Sequence, residues 1–428
     1  MYWDATIETL PDERLRELQL QRLQDTVRRA GQSPFYRQRL AQAGINAEPL
    51  QSLEDVRRLP FTTKDDLRAA GPDMLTCPLT EIVRLHASSG TTGQATVIYY
   101  TRRDIAAWAD LVARSMFMTG VRPGDVFQNM MGYGLFTGGL GFHYGAELLG
   151  ALTIPAGAGN SLRQIQLMQQ FGTTVLHIIP SYALYLLATF AQGGVDPREL
   201  HLRMAFIGAE PHTEEMRRRI EEAYGVKAYN SYGLSEMNGP GVAFECPEQN
   251  GLHVWEDAFL LEVVDPVTLE PAGPGETGEL VFTSLTRQGM PILRYRTRDL
   301  ASLYPEPCPC GRPHRRISRI QGRTDDMLVV KGVNIFPIQI ERVLLARPEV
   351  DANYLVELTR ENYNDVMHVK VEVKEEFFQE DLRYLQRLQK RLAEALRNEL
   401  LVTPKVELVE PNTLPRSEGK AVRVADKR

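Results

Sequence analysis

Cysteine is scarce: four residues in 428, too few to staple a chain of this length into a disulfide scaffold. No apolar run reaches the roughly 18 residues of a membrane span, so no membrane partner is expected. Charge of one sign is missing too, since 49 basic side chains face 55 acidic ones for a formal net charge of -6. That balance speaks against nucleic acid as a partner and leaves room for a small anionic ligand. The start, MYWDATIETLPDERLRELQ, turns polar at once and offers no signal-peptide core. These absences point to a reduced, cytoplasmic enzyme. Two nucleotide fingerprints are also lacking. The loop Ser88-Ser89-Gly90-Thr91-Thr92-Gly93 is not followed by GK[ST], so it is no Walker A loop, and Gly132-Tyr133-Gly134 begins a dinucleotide motif whose sixth position is Thr137.

What is present is an ordinary globular composition, 43% hydrophobic and 24% charged, in a chain long enough for two or more domains. The first segment reads as helical: Leu15, Leu18, Leu23 and Val27 recur near helical spacing, and Ser33-Pro34 supplies a helix start. From residue 82 short apolar runs alternate with helical stretches. IVRLHA (82–87), TVIYY (96–100), DVFQNMM (125–131), TVLHII (174–179) and RMAFIG (203–208) are strand-like, while DIAAWADLVARSMF and YALYLLATFAQ are helical. Such alternation predicts an α/β domain with a largely parallel sheet. After about 240, turn-rich strands predict an antiparallel meander. A boundary falls near GRTDD (322–326), giving a large α/β N-terminal domain with additional β structure over 1–324 and a small α+β C-terminal domain over 325–428.

The strongest local signal is the Ser88–Gly93 loop between two strand candidates. Glycines let a backbone approach an anion, and hydroxyls with backbone N–H groups can donate to phosphate oxygens, although a polar hairpin turn would read the same way. Further along come Gly208-Ala209-Glu210-Pro211, Tyr232-Gly233-Leu234-Ser235-Glu236, Tyr295-Arg296-Thr297-Arg298-Asp299, Gly322-Arg323-Thr324-Asp325-Asp326 and, near the end, Leu414-Pro415-Arg416-Ser417-Glu418-Gly419-Lys420. Singly, each also reads as a βα turn, a surface ion pair or a tail lysine.

In order and spacing the set resembles the core-motif series of the acyl-adenylate-forming superfamily, over nearly the whole chain. The stretches NMMGYGLFTGGLGFHYGAE, PSYALYL, GLHVWED and GRTDDMLVVKGVNIFPIQIE narrow the resemblance to the phenylacetate-CoA ligase family. It implies an ATP-dependent ligase that converts a small aryl carboxylic acid, with phenylacetate leading, into an acyl-adenylate and passes it to coenzyme A. Ser88, Ser89, Gly90, Thr91, Thr92 and Gly93 then resemble the element holding the outgoing phosphates, and Glu236 the acid that places Mg²⁺. Gly208, Ala209, Glu210 and Pro211 with Ser231, Tyr232 and Gly233 resemble the adenine walls. Asp299 matches the carboxylate that accepts from ribose hydroxyls, and Arg323 a contact to ribose or phosphate. Lys420 matches the adenylation lysine, Asp325 the hinge and Gly332 the coenzyme A path. Tyr133, Phe136 and Phe142 resemble the aryl pocket, with core packing as the rival reading. A homodimer is implied as well.

Cys308-Pro309-Cys310 puts two thiols in a turn, and the superfamily fold could bring Cys246 and His253 to them. Three cysteines and a histidine form a closed tetrahedral zinc set, which implies structural zinc, with His314 a rival fourth ligand and free reduced cysteines the alternative. Cys77 stands alone and reads as a packed small hydrophobe. Two departures stand out. Gln94 occupies a position where the phosphate loop commonly carries lysine, and Arg298 one where much of the superfamily has glycine. Transfer of the acyl group to a carrier protein, or a non-catalytic binding role, are the competing functions.

Overall fold

A computed structural model describes residues 1–45, 50–88, 95–331, 333–361, 364–379, 381–415 and 422–428. The predicted start signals act as local physics requires. Ser33 caps the helix Pro34–Gln42 by accepting from the N–H of Tyr36, with proline at its first position. In the preceding helix Asp12–Ala30, Leu15, Leu23 and Val27 are buried, but Gln19 turns inward beside a half-buried Leu18 and donates to the Glu256 carbonyl.

The centre of the large domain is an eight-stranded sheet ordered Arg316–Ile317, Leu252–Val254, Gly239–Glu245, Lys227–Leu234, Met204–Gly208, Val175–Ile178, Val126–Asn129, Leu152–Ile154. From Lys227–Leu234 onward the pairing is parallel, and the first three strands join it antiparallel. Because side chains alternate along a strand, Phe127, Val175 and Phe206 feed one core, while Leu176, Ala205 and Ile207 feed another on the opposite face. Helices Arg102–Thr119 and Thr137–Leu149 cover the first face; Ser161–Phe171, Pro180–Gln192 and Glu214–Tyr224 cover the second.

The expected meander is a four-stranded antiparallel sheet of Phe259–Val264, Thr277–Ser284, Tyr295–Ser302 and Gly322–Arg323. One expectation is corrected. Ile82–Ser88 and Thr96–Thr101 do not join the parallel sheet; they pair antiparallel as a separate hairpin. The C-terminal domain carries a sheet ordered Lys405–Val409, Asn364–Val373, Val350–Glu361, Val424–Asp426, covered by the helices Pro337–Leu345 and Leu382–Leu400. Leu388, Leu392, Leu396 and Leu400, one per turn, bury the inner face of the long helix. Among the described residues no helix is long and apolar enough to cross a membrane.

The helix Thr137–Leu149 contradicts local propensity, since Gly138, Gly139, Gly141 and Gly145 each disfavour it by about 1 kcal/mol relative to alanine. Packing explains them. An added Cβ at Gly141 would meet Pro240 at 2.5 Å and the Trp108 ring at 2.6 Å, and one at Gly145 would meet Val112 at 2.6 Å. Glycine lets this helix lie against Arg102–Thr119 and the sheet, which sets the position of the loop leading into it.

Candidate active site

Gly208–Pro211 and Ser231–Glu236 lie at and just beyond the carboxyl ends of two neighbouring parallel strands, where α/β sheets open a crevice, and Tyr232 links them to Asp299 of the antiparallel sheet. Gly208 ends Met204–Gly208 and pairs with Ser231 of the neighbouring strand; a Cβ on Gly208 would run into the Ser231 carbonyl. Ala209 follows with φ 68°, a left-handed conformation that turns the chain sharply out of the sheet. The Glu210 carboxylate accepts from the Ser181 N–H at 2.7 Å, at the start of the helix Pro180–Gln192. Pro211 is exposed beside it. A side chain at Gly233 would strike the Gly239 carbonyl, so the turn closing the cleft requires glycine there.

Asp299 is buried where the two sheets meet. Its neighbour Arg323 is its cross-strand partner and donates from Nη1 at 2.7 Å, while the Tyr232 hydroxyl donates to the other oxygen at 2.7 Å. Burial pushes the Asp299 carboxyl above the ordinary carboxylate range, with Arg323 and Tyr232 pulling back and the charges of Asp325 and Glu236 adding to the rise. Two donors leave acceptor capacity on a carboxylate, which has about four lone-pair sites. Arg323 also grips Asp325 in a two-point contact at 2.8 and 2.9 Å, so one guanidinium joins the buried acid to the predicted hinge residue. Arg298 adopts φ 69°, which accounts for glycine elsewhere in the superfamily; its N–H donates to the buried Glu279 carboxylate at 3.2 Å and its carbonyl accepts from Thr324.

Glu236 lies buried in the turn Ser235–Met237 directly after Lys227–Leu234. Its backbone carbonyl accepts from Arg287, and that of Ser235 accepts from the Tyr100 hydroxyl, so the hairpin strand Thr96–Thr101 and the loop after Thr277–Ser284 both fix the turn. Burial and the nearby Glu236 charge push the Tyr295 phenol well above its ordinary value. Lys64 Nζ stands 3.8 Å from Glu236 Oε1. Sequence reasoning passed over Lys64 because nothing local marks it. It arrives through a single parallel bridge between Thr62 and Tyr295, which seats the helix Lys64–Ala70 beside the cleft. Tyr295 did carry a signal, as the first residue of the motif ending in Asp299.

The predicted acid-binding residues are divided. Tyr133 sits in a polar chain: Asn129 Nδ2 donates to its hydroxyl at 2.9 Å, and the hydroxyl meets His143 Nδ1 at 3.2 Å. Burial pushes the Tyr133 phenol up to about 12, so it stays protonated. Phe136 is partly exposed at the loop end, ahead of the helix Thr137–Leu149. Phe142 is placed otherwise than on a pocket wall: it is fully buried among Phe127, His177, Phe206 and Phe244, with its ring 3.7 Å from that of His177. The reason is helical phase, since position 142 faces the sheet. The loop is tied to the hairpin through the Leu135 carbonyl, which accepts from the Ala87 N–H and lies 3.0 Å from His86 Nδ1.

Ser88 ends its strand opposite Thr96, and the hydroxyls of both are buried without a partner among the described residues. The other phosphate-loop residues, Ser89, Gly90, Thr91, Thr92, Gly93 and Gln94, lie outside the described residues, as do Gly332 and Lys420. Cys77 is half-buried and unpaired with another thiol.

A second cluster lies apart from this cleft. Cys246, His253, Cys308 and Cys310 bring one donor atom each to within 4.8 Å of one another. His253 Nδ1 lies 2.8 Å from the His314 carbonyl, and its Nε2 faces Cys310 Sγ at 3.3 Å. A donated Nδ1–H fixes the tautomer that leaves Nε2 free to ligate. His314 stands outside the cluster, its Nδ1 accepting from the Glu256 N–H.

Comparison with known proteins agrees with this layout. Residues 34–286 match the AMP-binding enzyme family and residues 332–428 the AMP-binding enzyme C-terminal domain. The chain is 48% identical to phenylacetate-coenzyme A ligase of Thermus thermophilus, with both chains covered in full. It superimposes on a crystal structure of 2-hydroxyisobutyryl-CoA ligase in the postadenylation state in complex with 2-HIB-AMP with a TM-score of 0.94, at 33% identity, covering 100% of this chain and 92% of that one. Against the same ligase with 2-HIB-AMP and CoA in the thioesterification state the TM-score is 0.74, at 34% identity, covering 99% and 92%.

Removing the Tyr232 hydroxyl tests the Asp299 arrangement. Tyr232→Phe leaves a buried carboxylate oxygen short of its donor and lowers stability by about 1–3 kcal/mol at neutral pH. Because the lost bond favours the ionised acid, the deficit is present above the raised Asp299 value and fades as pH falls through it. Denaturant unfolding of both proteins from acid to neutral pH, through the ordinary carboxylate range and above it, reads this out. A deficit independent of pH would refute the assignment.

Proposed function

The chain belongs to the phenylacetate-CoA ligase family of acyl-adenylate-forming enzymes, and from that premise we propose that it joins a small aryl acid, phenylacetate or a close relative, to coenzyme A with release of AMP and pyrophosphate. The observation that supports this most is Asp299, a buried carboxylate with open acceptor positions beside a second buried acid at the strand ends. A carboxylate is a poor acyl donor because its leaving group would be oxide. Its oxygen therefore attacks the α-phosphorus of ATP, the bond to pyrophosphate breaks, and a mixed anhydride forms whose leaving group is AMP. The thiolate of coenzyme A then attacks the carbonyl carbon, and AMP departs.

Bringing two anions together requires fixed positive charge and aimed donors. Asp299 holds the ribose hydroxyls, with Arg323 at its side for ribose or phosphate. The Gly208–Pro211 and Ser231–Gly233 segments wall the adenine. Glu236 would hold Mg²⁺, which supplies charge that offsets the phosphates when bound. Lys64 adds a cation near the same corner, where the loop carries Gln94. Lys420 bridges carboxylate and α-phosphate in the first step, Asp325 is the hinge, and Gly332 leaves room for the pantetheine arm. Tyr133 and Phe136 face the aryl ring, with Phe142 supporting from the core. A cytoplasmic homodimer is the setting the resemblance implies.

Acid-dependent AMP release, measured over phenylacetate, benzoate, indoleacetate and short fatty acids with wild type and Lys420→Ala, tests the proposal. The expected result is highest kcat/KM with an aryl-acetic acid, and a variant that loses adenylation yet still forms thioester from supplied acyl-adenylate. Equal loss of both steps would remove the lysine role. Coenzyme A failing to accept the acyl group would point to a carrier protein.

We assign structural zinc to Cys246, His253, Cys308 and Cys310, whose soft donor set suits it. The ion would cross-link the end of Gly239–Glu245, the strand Leu252–Val254 and the turn before Arg316–Ile317. Elemental analysis should find about one zinc per chain, and chelation should lower Tm without a direct effect on catalysis. Metal-free protein with an unchanged Tm would exclude the site.

A further inference from the structure

Two charged side chains cross the junction between the domains, and each ends on the terminus of a helix in the other. Arg219, on the helix Glu214–Tyr224 of the large domain, donates to the carbonyls of Leu345 at 2.6 Å and of Arg347 and Val350 at 2.9 Å each. Those carbonyls lie at and just beyond the carboxyl end of Pro337–Leu345, the negative pole of that helix. In return Glu341 of Pro337–Leu345 accepts at 3.2 Å from the N–H of Thr213, the cap of the helix Glu214–Tyr224 and hence its positive pole. The two contacts are reciprocal and run in opposite senses. A docking this specific fixes rotation as well as distance.

The remainder of the junction is thin. Leu345 is the one C-terminal residue fully enclosed in the second core of the large domain, with Ala352 partly buried against it, among the described residues. Burial works against the Arg219 charge, and Asp351 across the junction, with Glu215 and Glu222 on its own helix, attracts it. An interface resting on a few polar contacts and a single apolar anchor opens at low cost. The orientation it holds is the one shared with the postadenylation-state relative and not with the thioesterification-state one.

We propose that Arg219 and Glu341 are positioning residues for the two-step reaction, a latch that holds the C-terminal domain in the present orientation and releases before the domain takes another. The proposal rests on the ligase reading above. Burial pushes the Glu341 carboxyl up to about 7; Arg423 opposes the rise, Glu210 adds to it, and the Thr213 N–H and the Tyr354 hydroxyl oppose it. Glu214, next along, is paired with Arg217 and Arg319.

Hydrogen exchange and separated half-reactions on full-length wild type, Arg219→Ala, Arg219→Lys and Glu341→Gln test the latch. In Arg219→Ala, exchange over Pro337–Leu345 should rise. The ratio of thioester formation from supplied acyl-adenylate to adenylate formation should move by about fivefold or more toward thioester formation, with partial return in Arg219→Lys. Glu341→Gln keeps an oxygen acceptor but loses the charge facing the helix pole, and should move the ratio in the same direction by less. An unchanged ratio, whether both rates fall together or neither moves, overturns the proposal. The exchange arm needs no substrate, so failure of the ligase reading would show separately, as wild type without acid-dependent AMP release.

Discussion

A buried carboxylate with two committed donors sets the geometry on which the remaining features depend. Asp299 is held by Tyr232 from the eight-stranded sheet and by Arg323 from the antiparallel one, so a single acid pins the two larger sheets of the large domain together. Arg323 carries the constraint further by holding Asp325 with its other face. One guanidinium thus joins the buried acid to Asp325, the proposed hinge residue.

Much of this was legible in the residues. Ser33-Pro34 started its helix as expected, and the predicted strands TVLHII (174–179) and RMAFIG (203–208) stood in a parallel sheet. The failures share a cause. The helix Thr137–Leu149 was hidden by its glycines, whose purpose appears only when Trp108, Val112 and Pro240 are brought against it from distant sequence. Phe142 looked like a pocket residue because composition marks an aromatic but not the face it presents. Lys64 and Arg219 carry no local pattern at all, and each acquires meaning through a contact across a long separation in the chain.

The cysteine and histidine cluster shows the opposite case. Residue type and spacing suggested the ligands, and the fold then chose between two histidines: a contact of His253 Nδ1 with the His314 carbonyl leaves one imidazole nitrogen facing the thiols and sets His314 behind it. The cluster lies where the edge strands of the eight-stranded sheet end, away from Asp299 and Glu236. Its proposed metal therefore stiffens the scaffold and leaves the reacting atoms to the acids, the lysines and the phosphate loop.

The account stands or falls on attack by the acid at the α-phosphorus of ATP. Turnover of phenylacetate labelled with oxygen-18 in its carboxylate, with ATP and coenzyme A, follows that bond directly. One labelled oxygen should appear in AMP and none in pyrophosphate. AMP free of label, with thioester nevertheless formed, would contradict activation through an acyl-adenylate.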